Sequence, residues 1–227
     1  KYTNNGDSYV DISNDNDIKK YQLNDNFEFN SDNIDDWLLV NEIKNDVVFN
    51  GNNKTITIDL GTVDWTGLFK PKNISDGTSD GTFKIRNLTL TFKSDIATNC
   101  GGFISDSDSI TGYEVNISNC KSKTDNSKTI KKSGGGIVGK AFYKGEIKYC
   151  YNNLGINAYA GGICGVHSGQ SNDGITIKYC YCEAQIVGGS SGGIAGQNLK
   201  NAEILYCYYI NPETDGLNKN NFGGIAG

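Results

Sequence analysis

Short apolar runs separated by turn-forming residues make up most of the chain. In the second half these runs are rich in Ile, Tyr and Cys, with Gly, Asn, Asp and Ser between them. Runs of this kind bounded by turn residues are typical of β-strands. The 3.6-residue spacing of apolar positions that marks an amphipathic helix is nearly absent. The pattern therefore predicts an all-β fold.

A motif of the form Gly-Gly-apolar-small-Gly recurs along the chain. Its second glycine returns every 26 to 34 residues, and a degenerate copy begins at Gly101. Glycine permits positive φ and a tight corner, and the small residue lets opposite walls approach each other. We therefore expect each copy to form a corner, with a structural role for Gly135, Gly136, Gly139, Gly161, Gly162, Gly165, Gly192, Gly193 and Gly196.

A second repeated segment, Ile-x-x-Cys, lies between the glycine motifs. Its cysteines recur 27 to 30 residues apart, at Cys120, Cys150, Cys180 and Cys207. Because residues three apart face opposite sides of a straight strand, we expect a bend at the intervening Asn or Tyr that returns the cysteine inward. We favour a ladder of buried free thiols. The alternatives are a disulfide between neighbouring coils and a metal site built on Cys180 and Cys182 with Cys150 or Cys207.

The repeat length selects the architecture. A period of 26 to 34 residues without helices fits one coil of a parallel solenoid, whereas a propeller blade needs about 40–45 residues. We predict a right-handed parallel β-helix (solenoid) of about five to six coils, truncated at its C-terminal end. Residues 1–36, rich in Asp and Asn, form a predicted N-terminal cap, and residues 37–227 form the solenoid. The Lys- and Ser-rich residues 121–133 are expected to protrude as a loop.

Two parts of the sequence carry a family resemblance. Residues 48–56, then Gly67-Leu68-Phe69 and residues 85–90, resemble the opening of many right-handed parallel β-helix proteins. The Gly-Gly-Ile-Ala-Gly copies resemble the GLUG motif, which occurs in large surface-exposed proteins including adhesins and some secreted bacterial peptidases. The resemblance covers roughly residues 48–227. It implies a repeat fold and surface display, and it implies no catalytic residues or cofactor.

Composition and charge narrow the classes of partner. The net charge is −5, and Arg86 is the single arginine among 21 basic residues. No basic run is long enough to neutralise a nucleic-acid backbone, so nucleic-acid binding is not expected. Because no apolar stretch approaches the roughly 20 residues that a membrane-spanning helix needs, we expect no membrane insertion within this chain.

The sequence contains no recognisable pattern of catalytic residues. His167 is the only histidine, and no pattern places a nucleophile and an orienting group beside it. Glycoside hydrolysis needs two facing carboxylates, but the acids of the repeats are scattered, at Glu114, Glu146, Asp173, Glu183, Glu203 and Glu213. A lyase would want a basic residue beside bound Ca²⁺, and Arg86 lies within a predicted strand. We therefore expect no enzymatic activity, and we keep a polysaccharide lyase or glycoside hydrolase as the alternative.

Two further patterns suggest ligands or modification. The acidic segments 15–17 and 32–36 have oxygen ligands suited to Ca²⁺, although a solvated turn-forming surface is the favoured interpretation, and no metal site is predicted. Four Asn-x-Ser/Thr sequences mark candidate glycosylation sites, at Asn53, Asn73, Asn87 and Asn116.

The combined expectation is a non-catalytic structural or adhesive module, a rigid stalk or display scaffold on a cell or virus particle. A structural component of a virion surface or fibre is a related alternative. Expected partners are glycans or a host or cell-surface protein, contacted through exposed tyrosines such as Tyr181, Tyr208 and Tyr209. Self-association, or continuation of the solenoid, is expected at the C-terminal edge. The expected location is extracellular, at a cell surface or virion surface.

Overall fold

The regular structure is almost entirely β-strand in the part of the chain that the computed structural model describes, which comprises residues 9–11, 18–34, 42–43, 46–71, 82–105, 113–140, 143–166, 174–199, 201–212 and 222–227. In these residues, no helix has the length and apolar character needed to cross a membrane. The strands in chain order are β1 (Tyr9–Asp11), β2 (Ile18–Leu23), β3 (Phe27–Asn30), β4 (Glu42–Ile43), β5 (Asp46–Asp59), β6 (Lys70–Pro71), β7 (Thr82–Phe92), β8 (Tyr113–Lys123), β9 (Thr129–Ile130), β10 (Tyr143–Lys148), β11 (Tyr151–Asn152), β12 (Gly155–Ile156), β13 (Ile175–Lys178), β14 (Tyr181–Glu183), β15 (Ser191–Gly192), β16 (Ala202–Leu205), β17 (Tyr208–Ile210) and β18 (Phe222–Gly223).

One parallel sheet runs the length of the molecule. Its strands follow the order β2, β5, β7, β8, β10, β13 and β16, and every neighbouring pair is parallel. One complete coil separates the equivalent isoleucines, which the register aligns as Ile85, Ile117, Ile147, Ile177 and Ile204. The predicted all-β parallel solenoid is thus confirmed, with about five turns.

The N-terminal section contributes strands to the same stack. Strands β2 and β3 both pair in parallel with β5. Strand β1 pairs with β2 in the antiparallel direction and so departs from the coiling pattern. These strands lie within residues 1–36, and the boundary between cap and solenoid at residue 36 stays a prediction.

Each coil has three walls: the first ends at a left-handed bend, the second runs from this bend to the glycine corner, and the third carries the glycine motif. A single left-handed residue forms the bend between the first and second walls. The φ angle is 56° at Asn87, 53° at Asn119, 54° at Tyr149, 53° at Tyr179 and 52° at Tyr206. This is the bend expected within Ile-x-x-Cys. Because one residue in this conformation interrupts the alternation of side chains, the isoleucine and the cysteine of each segment both face the interior.

Apolar ladders fill the space between the walls. The clearest follows the second wall and stacks one side chain per coil, none more than 3% exposed, at Trp65, Ile96, Ile130, Ile156 and Ile186. Trp65 Nε1 donates a hydrogen bond to the Gly102 carbonyl at 2.8 Å, so its one polar atom is satisfied in the core. Parallel stacking therefore gives a continuous core along the axis.

The expected loop at residues 121–133 is part of the coil wall instead. Its first residues belong to β8, and Thr129–Ile130 form β9. Ser122 and Thr124 are buried. Their hydroxyls donate to the Gly136 carbonyl at 2.5 Å and to the Phe92 carbonyl at 3.0 Å. The prediction of a protruding loop is wrong because these short polar side chains find backbone partners inside the wall.

Candidate functional site

The second glycine of each motif makes room for a side chain from the facing wall. A Cβ atom at this position would meet both that side chain and the carbonyl of the next coil. The opposed pairs are Gly102 with Ser122, Gly136 with Asn152, Gly162 with Cys182, and Gly193 with Tyr209. Close approach of two walls is therefore what these positions require.

The first and third glycines face backbone atoms. A Cβ on the first would strike the carbonyl three residues later in the same motif, as at Gly135, Gly161 and Gly192. A Cβ on the third would strike the carbonyl of a corner residue on the preceding coil, as at Gly139, Gly165 and Gly196. None of these nine glycines has a φ in the left-handed region.

Other residues supply the left-handed geometry of the glycine corner. Just before each motif the φ angle is 64° at Asn99, 60° at Ser133, 61° at Tyr159 and 56° at Ser190. The expectation that the motif glycines adopt positive φ is therefore wrong. Their role is to admit neighbouring backbone, which no side chain larger than hydrogen would allow.

The four repeat cysteines stack along the inner side of the coils, with Cys207 partly buried. The seven cysteines all lie in the described residues, and none forms a disulfide bond. Along the ladder Cys120, Cys150, Cys180 and Cys207, each Sγ donates to the carbonyl two residues before it at 3.3–3.4 Å. Hydrogen bonding to Cys150 and burial raise the pKa of Cys180. Burial raises the pKa of Cys182 to about 12. Thiols held neutral in this way are poor nucleophiles and poor metal ligands.

Three tyrosines form an exposed column at the left-handed bend, which we call the bend column: Tyr149, Tyr179 and Tyr206. Neighbouring ring centroids are 5.2 Å apart, with interplanar angles of 8° and 7°. The rings are 52%, 44% and 75% exposed in chain order. The Ile-x-x-Cys spacing predicts a bend at these tyrosines, but it does not predict that their rings stack outside the bend.

A second column, the wall column, lies two residues further along each coil: Tyr151, Tyr181 and Tyr208. Its centroid separations are 5.2 and 4.3 Å. Tyr151 and Tyr181 donate hydroxyl hydrogen bonds to Glu183 Oε2 at 3.4 and 2.8 Å. The hydrogen bond to Glu183 raises the pKa of Tyr181 to about 12. Two adjacent columns thus present aromatic edges and hydroxyls on consecutive coils.

The three tyrosines that the sequence suggested as exposed contacts lie in three different environments. Tyr208 is exposed, and Tyr181 is half-buried within the wall column. Tyr209 points inward: it packs against the core, and its hydroxyl donates to the Ala184 carbonyl at 2.9 Å. The expectation that Tyr209 is an exposed contact is wrong, because it occupies the buried ladder position above Cys182.

Glu114, Glu146 and Glu183, among the acids named from the sequence, each accept side-chain hydrogen bonds. Glu146 accepts hydrogen bonds from the ammonium groups of Lys148 and Lys178, which lower the pKa of its carboxyl group. A general acid needs a raised pKa, so Glu146 is set up for charge pairing. His167, Asp173 and Glu213 lie outside the described residues. Within the described ranges, no cluster of three His, Cys, Asp or Glu could hold a metal ion.

Most of the acidic N-terminal candidates fall outside the described residues, namely Asp15, Asp17, Asp35 and Asp36. Asp32 is exposed in a turn, and its backbone N–H donates to Asn30 Oδ1 at 3.0 Å.

The glycosylation candidates differ in their surroundings. Asn87 and Asn116 donate side-chain hydrogen bonds to Asn50 and Glu114 respectively. Asn53 is exposed, with φ 58°, whereas Asn73 lies outside the described residues.

A shallow groove on the outer face of the main sheet was not anticipated from the sequence. Its volume is about 300 Å³, and side chains of β5, β7, β8 and β10 line it. The residues that matter for its chemistry are Val48, Lys84, Arg86, Ser118, Glu146 and Lys148. These residues alternate with core residues along their strands. The two-residue alternation of a strand, combined with the repeat of about 30 residues, would therefore have identified them from the sequence.

The fold and these surfaces define the class as a parallel β-solenoid with a continuous hydrophobic core and a patterned exterior. No family model, curated protein or solved structure matches the chain. The function is therefore argued from the residues described above.

Proposed function

We propose that this protein is a rigid, non-catalytic stalk or display scaffold on the surface of a cell or virus particle, and that its tyrosine columns contact glycans. The single observation that carries the proposal is the pair of columns held in register on consecutive coils. The resemblance of the glycine motifs to GLUG repeats supports the surface context.

Rigidity follows from the ladder. Each coil hydrogen-bonds to the coils before and after it, and the side chains inside form one core. In the described repeats, small residues and glycines bring the walls into contact, which leaves little space for one coil to shift against the next. Such a rod holds surface groups at fixed separations.

The tyrosines suit glycan contact for a physical reason. A tyrosine side chain is large, has few rotatable bonds, and combines an apolar ring with a polar hydroxyl, so fixing it costs little entropy. Stacking within the columns immobilises the rings before a ligand arrives. An extended sugar chain, with hydroxyls and apolar ring faces at regular intervals, matches a regular row of such groups.

The test compares a double tyrosine variant with a single tyrosine variant that serves as its control. The double variant Tyr179→Asn with Tyr206→Asn should retain the fold, because Asn87 and Asn119 occupy the same left-handed position on other coils. Tyr159→Asn is the matched control, a tyrosine at another left-handed corner outside both columns. Affinity electrophoresis against a panel of soluble neutral and acidic polysaccharides measures binding.

We expect the double variant to lose about tenfold or more in affinity for the polysaccharide that retards the native chain, since truncating an aromatic anchor of a binding surface costs about 2 kcal/mol or more. Tyr159→Asn should bind as the native chain does. Reducing-end assays on the same mixtures should show no release of products. Equal binding by all three chains, or steady product release, would contradict the proposal.

A polysaccharide lyase or glycoside hydrolase remains the second candidate, because one observation favours it. The groove on the main sheet brings Arg86 and Lys84 into one concave surface with Glu146. Glu146 is engaged by two lysines, so we place this candidate second.

A further inference from the structure

The groove across β5, β7, β8 and β10 has its shape because side-chain lengths differ between neighbouring strands. Asn116 and Ser118 on β8 are short, and they lie between Lys84 and Arg86 on β7 and Glu146 and Lys148 on β10. Long side chains on either side of short ones leave a trough along the sheet. Its floor is fixed, because Asn116 Oδ1 accepts the Glu146 backbone N–H and its Nδ2 donates to Glu114.

The charge in this groove is opposite in sign to that of the chain. Three cationic side chains and one carboxylate line it, whereas the whole chain carries −5. The carboxylate of Glu146 is already paired with Lys148 and Lys178. Within the described residues, no carboxylate lies at ion-pair distance from Lys84 or Arg86. Two cations are thus available to an anionic ligand.

The donors in the groove fit a particular anion. A guanidinium group binds a carboxylate through two parallel hydrogen bonds, and the neighbouring ammonium group adds a point charge. The Ser118 hydroxyl, which has no hydrogen-bond partner among the described residues, can bind a hydroxyl group beside that carboxylate. The half-buried side chain of Val48 gives one end an apolar surface. A volume of about 300 Å³ far exceeds that of a lone inorganic anion.

We propose that this groove binds a carboxylate-bearing sugar residue of an acidic polysaccharide, with Arg86 as the carboxylate anchor and Lys84 and Ser118 as its neighbours. The proposal rests on the proposed function for the general class of ligand, and it adds a second site and a charge requirement. The groove lies on the first wall, whereas the tyrosine columns follow the bend and the second wall.

The experiment titrates the chain with polygalacturonate oligomers by calorimetry at low ionic strength. The same oligomers with methyl-esterified carboxylates and inorganic phosphate serve as comparison ligands. Arg86→Gln removes the guanidinium group, and Arg86→Lys keeps the charge but not the planar pair of donors. Lys128→Gln is the matched control: it removes one positive charge from the residue just before β9, which does not line the groove. Circular dichroism checks that each variant folds.

We expect Arg86→Gln to weaken oligomer binding about tenfold or more, because hydrogen bonds to charged groups are worth about 1.5–3 kcal/mol. Arg86→Lys should fall between Arg86→Gln and the native chain, and Lys128→Gln should match the native chain. Methyl-esterified oligomers should bind at least tenfold more weakly than the acid, and added salt should weaken acid binding.

Four results would overturn the groove proposal: no binding of the acid by the native chain, equal loss in Arg86→Gln and Lys128→Gln, equal binding of the methyl ester, or phosphate binding as tight as the oligomer. The proposed function fails separately. If the tyrosine double variant loses binding and Arg86→Gln does not, the groove proposal falls and the tyrosine surface stands. Cleavage of the oligomer that depends on Arg86 would support the groove and contradict the non-catalytic scaffold.

Discussion

The coils built on β5 and β7 and those built on β13 and β16 have the same backbone pattern but different interiors. We call them the wide and the narrow coils. At one ladder position of the third wall the side chain shrinks steadily along the axis, through Phe69, Ile104, Val138, Cys164 and Ala195. At the Ile-x-x-Cys bend, Leu88 of a wide coil gives way to cysteine in every later coil. The same hydrogen-bonded ladder thus encloses side chains of different size at these two positions.

On the exterior, the side chain at the left-handed bend becomes larger along the axis instead of smaller. The left-handed bend carries asparagine at Asn87 and tyrosine at Tyr179 and Tyr206, although the φ angle is nearly constant. Buried aromatic rings are therefore concentrated in the wide coils, whereas the tyrosine columns lie outside the narrow ones, and Tyr209 is an exception that packs against the core. The comparison shows that in this solenoid the backbone repeat is uniform while packing and surface chemistry are assigned coil by coil.

The largest effect should come from emptying a wide coil. Phe69→Ala removes a buried aromatic ring and should lower the free energy of unfolding by about 3–5 kcal/mol. Cys164→Ala, at the same ladder position in a later coil, should lower it by about 1 kcal/mol. Urea unfolding followed by circular dichroism measures both, and equal losses would show that the two interiors are packed alike.

The second-largest loss of stability is expected from placing a side chain in the narrow gap between two walls. Gly162→Ala introduces a Cβ that collides with Cys182 and the Gly193 carbonyl, so it should destabilise by about 1–3 kcal/mol. Gly224→Ala is the matched control, because a Cβ at Gly224 meets nothing within 4 Å. The same urea titration applies. A Gly162→Ala chain as stable as the control would mean that the walls can separate freely.

The buried thiols predict a dependence on pH. Cys182 has a pKa of about 12 in the folded chain, above the ordinary value of about 8.5. A raised folded-state pKa gives stability that is complete below about pH 8.5 and is lost as pH rises toward 12. Between pH 8 and 10 this group should reduce the free energy of unfolding by about 2 kcal/mol. Cys182→Ala should show a shallower decline, and an identical decline would exclude Cys182 as its source.

The smallest effect concerns the tyrosine bend. Tyr179 has a φ of 53°, a conformation that is costly for alanine and easier for asparagine. Tyr179→Ala should therefore be about 1 kcal/mol less stable than Tyr179→Asn. Thermal unfolding of the two variants side by side resolves this difference. Both variants lose the ring stacking equally, so equal stability would contradict a backbone cost of the left-handed conformation at this position.

The coil and its bend could be predicted from the sequence because their signals are local. An isoleucine and a cysteine three residues apart, repeated at a constant period, require a bend if both are buried, and the φ angle of Asn119 shows it. The architecture followed from the same period. These inferences needed only the spacing of residues within one coil.

The features that were predicted wrongly or not predicted from the sequence all involve contacts between walls or between coils. The reason for Gly162 lies in Cys182, which is 20 residues later, and in the carbonyl of the next coil. Ser122 and Thr124 have loop-like polarity, and only the carbonyls facing them account for their burial. The groove joins Arg86, Ser118 and Lys148 from three coils. Local sequence does not specify which of these residues will be neighbours.

The gradual shrinking of the side chain at the third-wall ladder position from Phe69 to Ala195 gives the solenoid a mechanical direction. In a solenoid each coil contacts only its neighbours, so the chain can yield one coil at a time under load. The narrow coils bury smaller side chains, so less apolar surface opposes their peeling away than opposes the loss of a coil filled by Phe69 and Trp65. Pulled along its axis, the molecule should extend first through its cysteine-lined coils while the aromatic-filled coils stay wound.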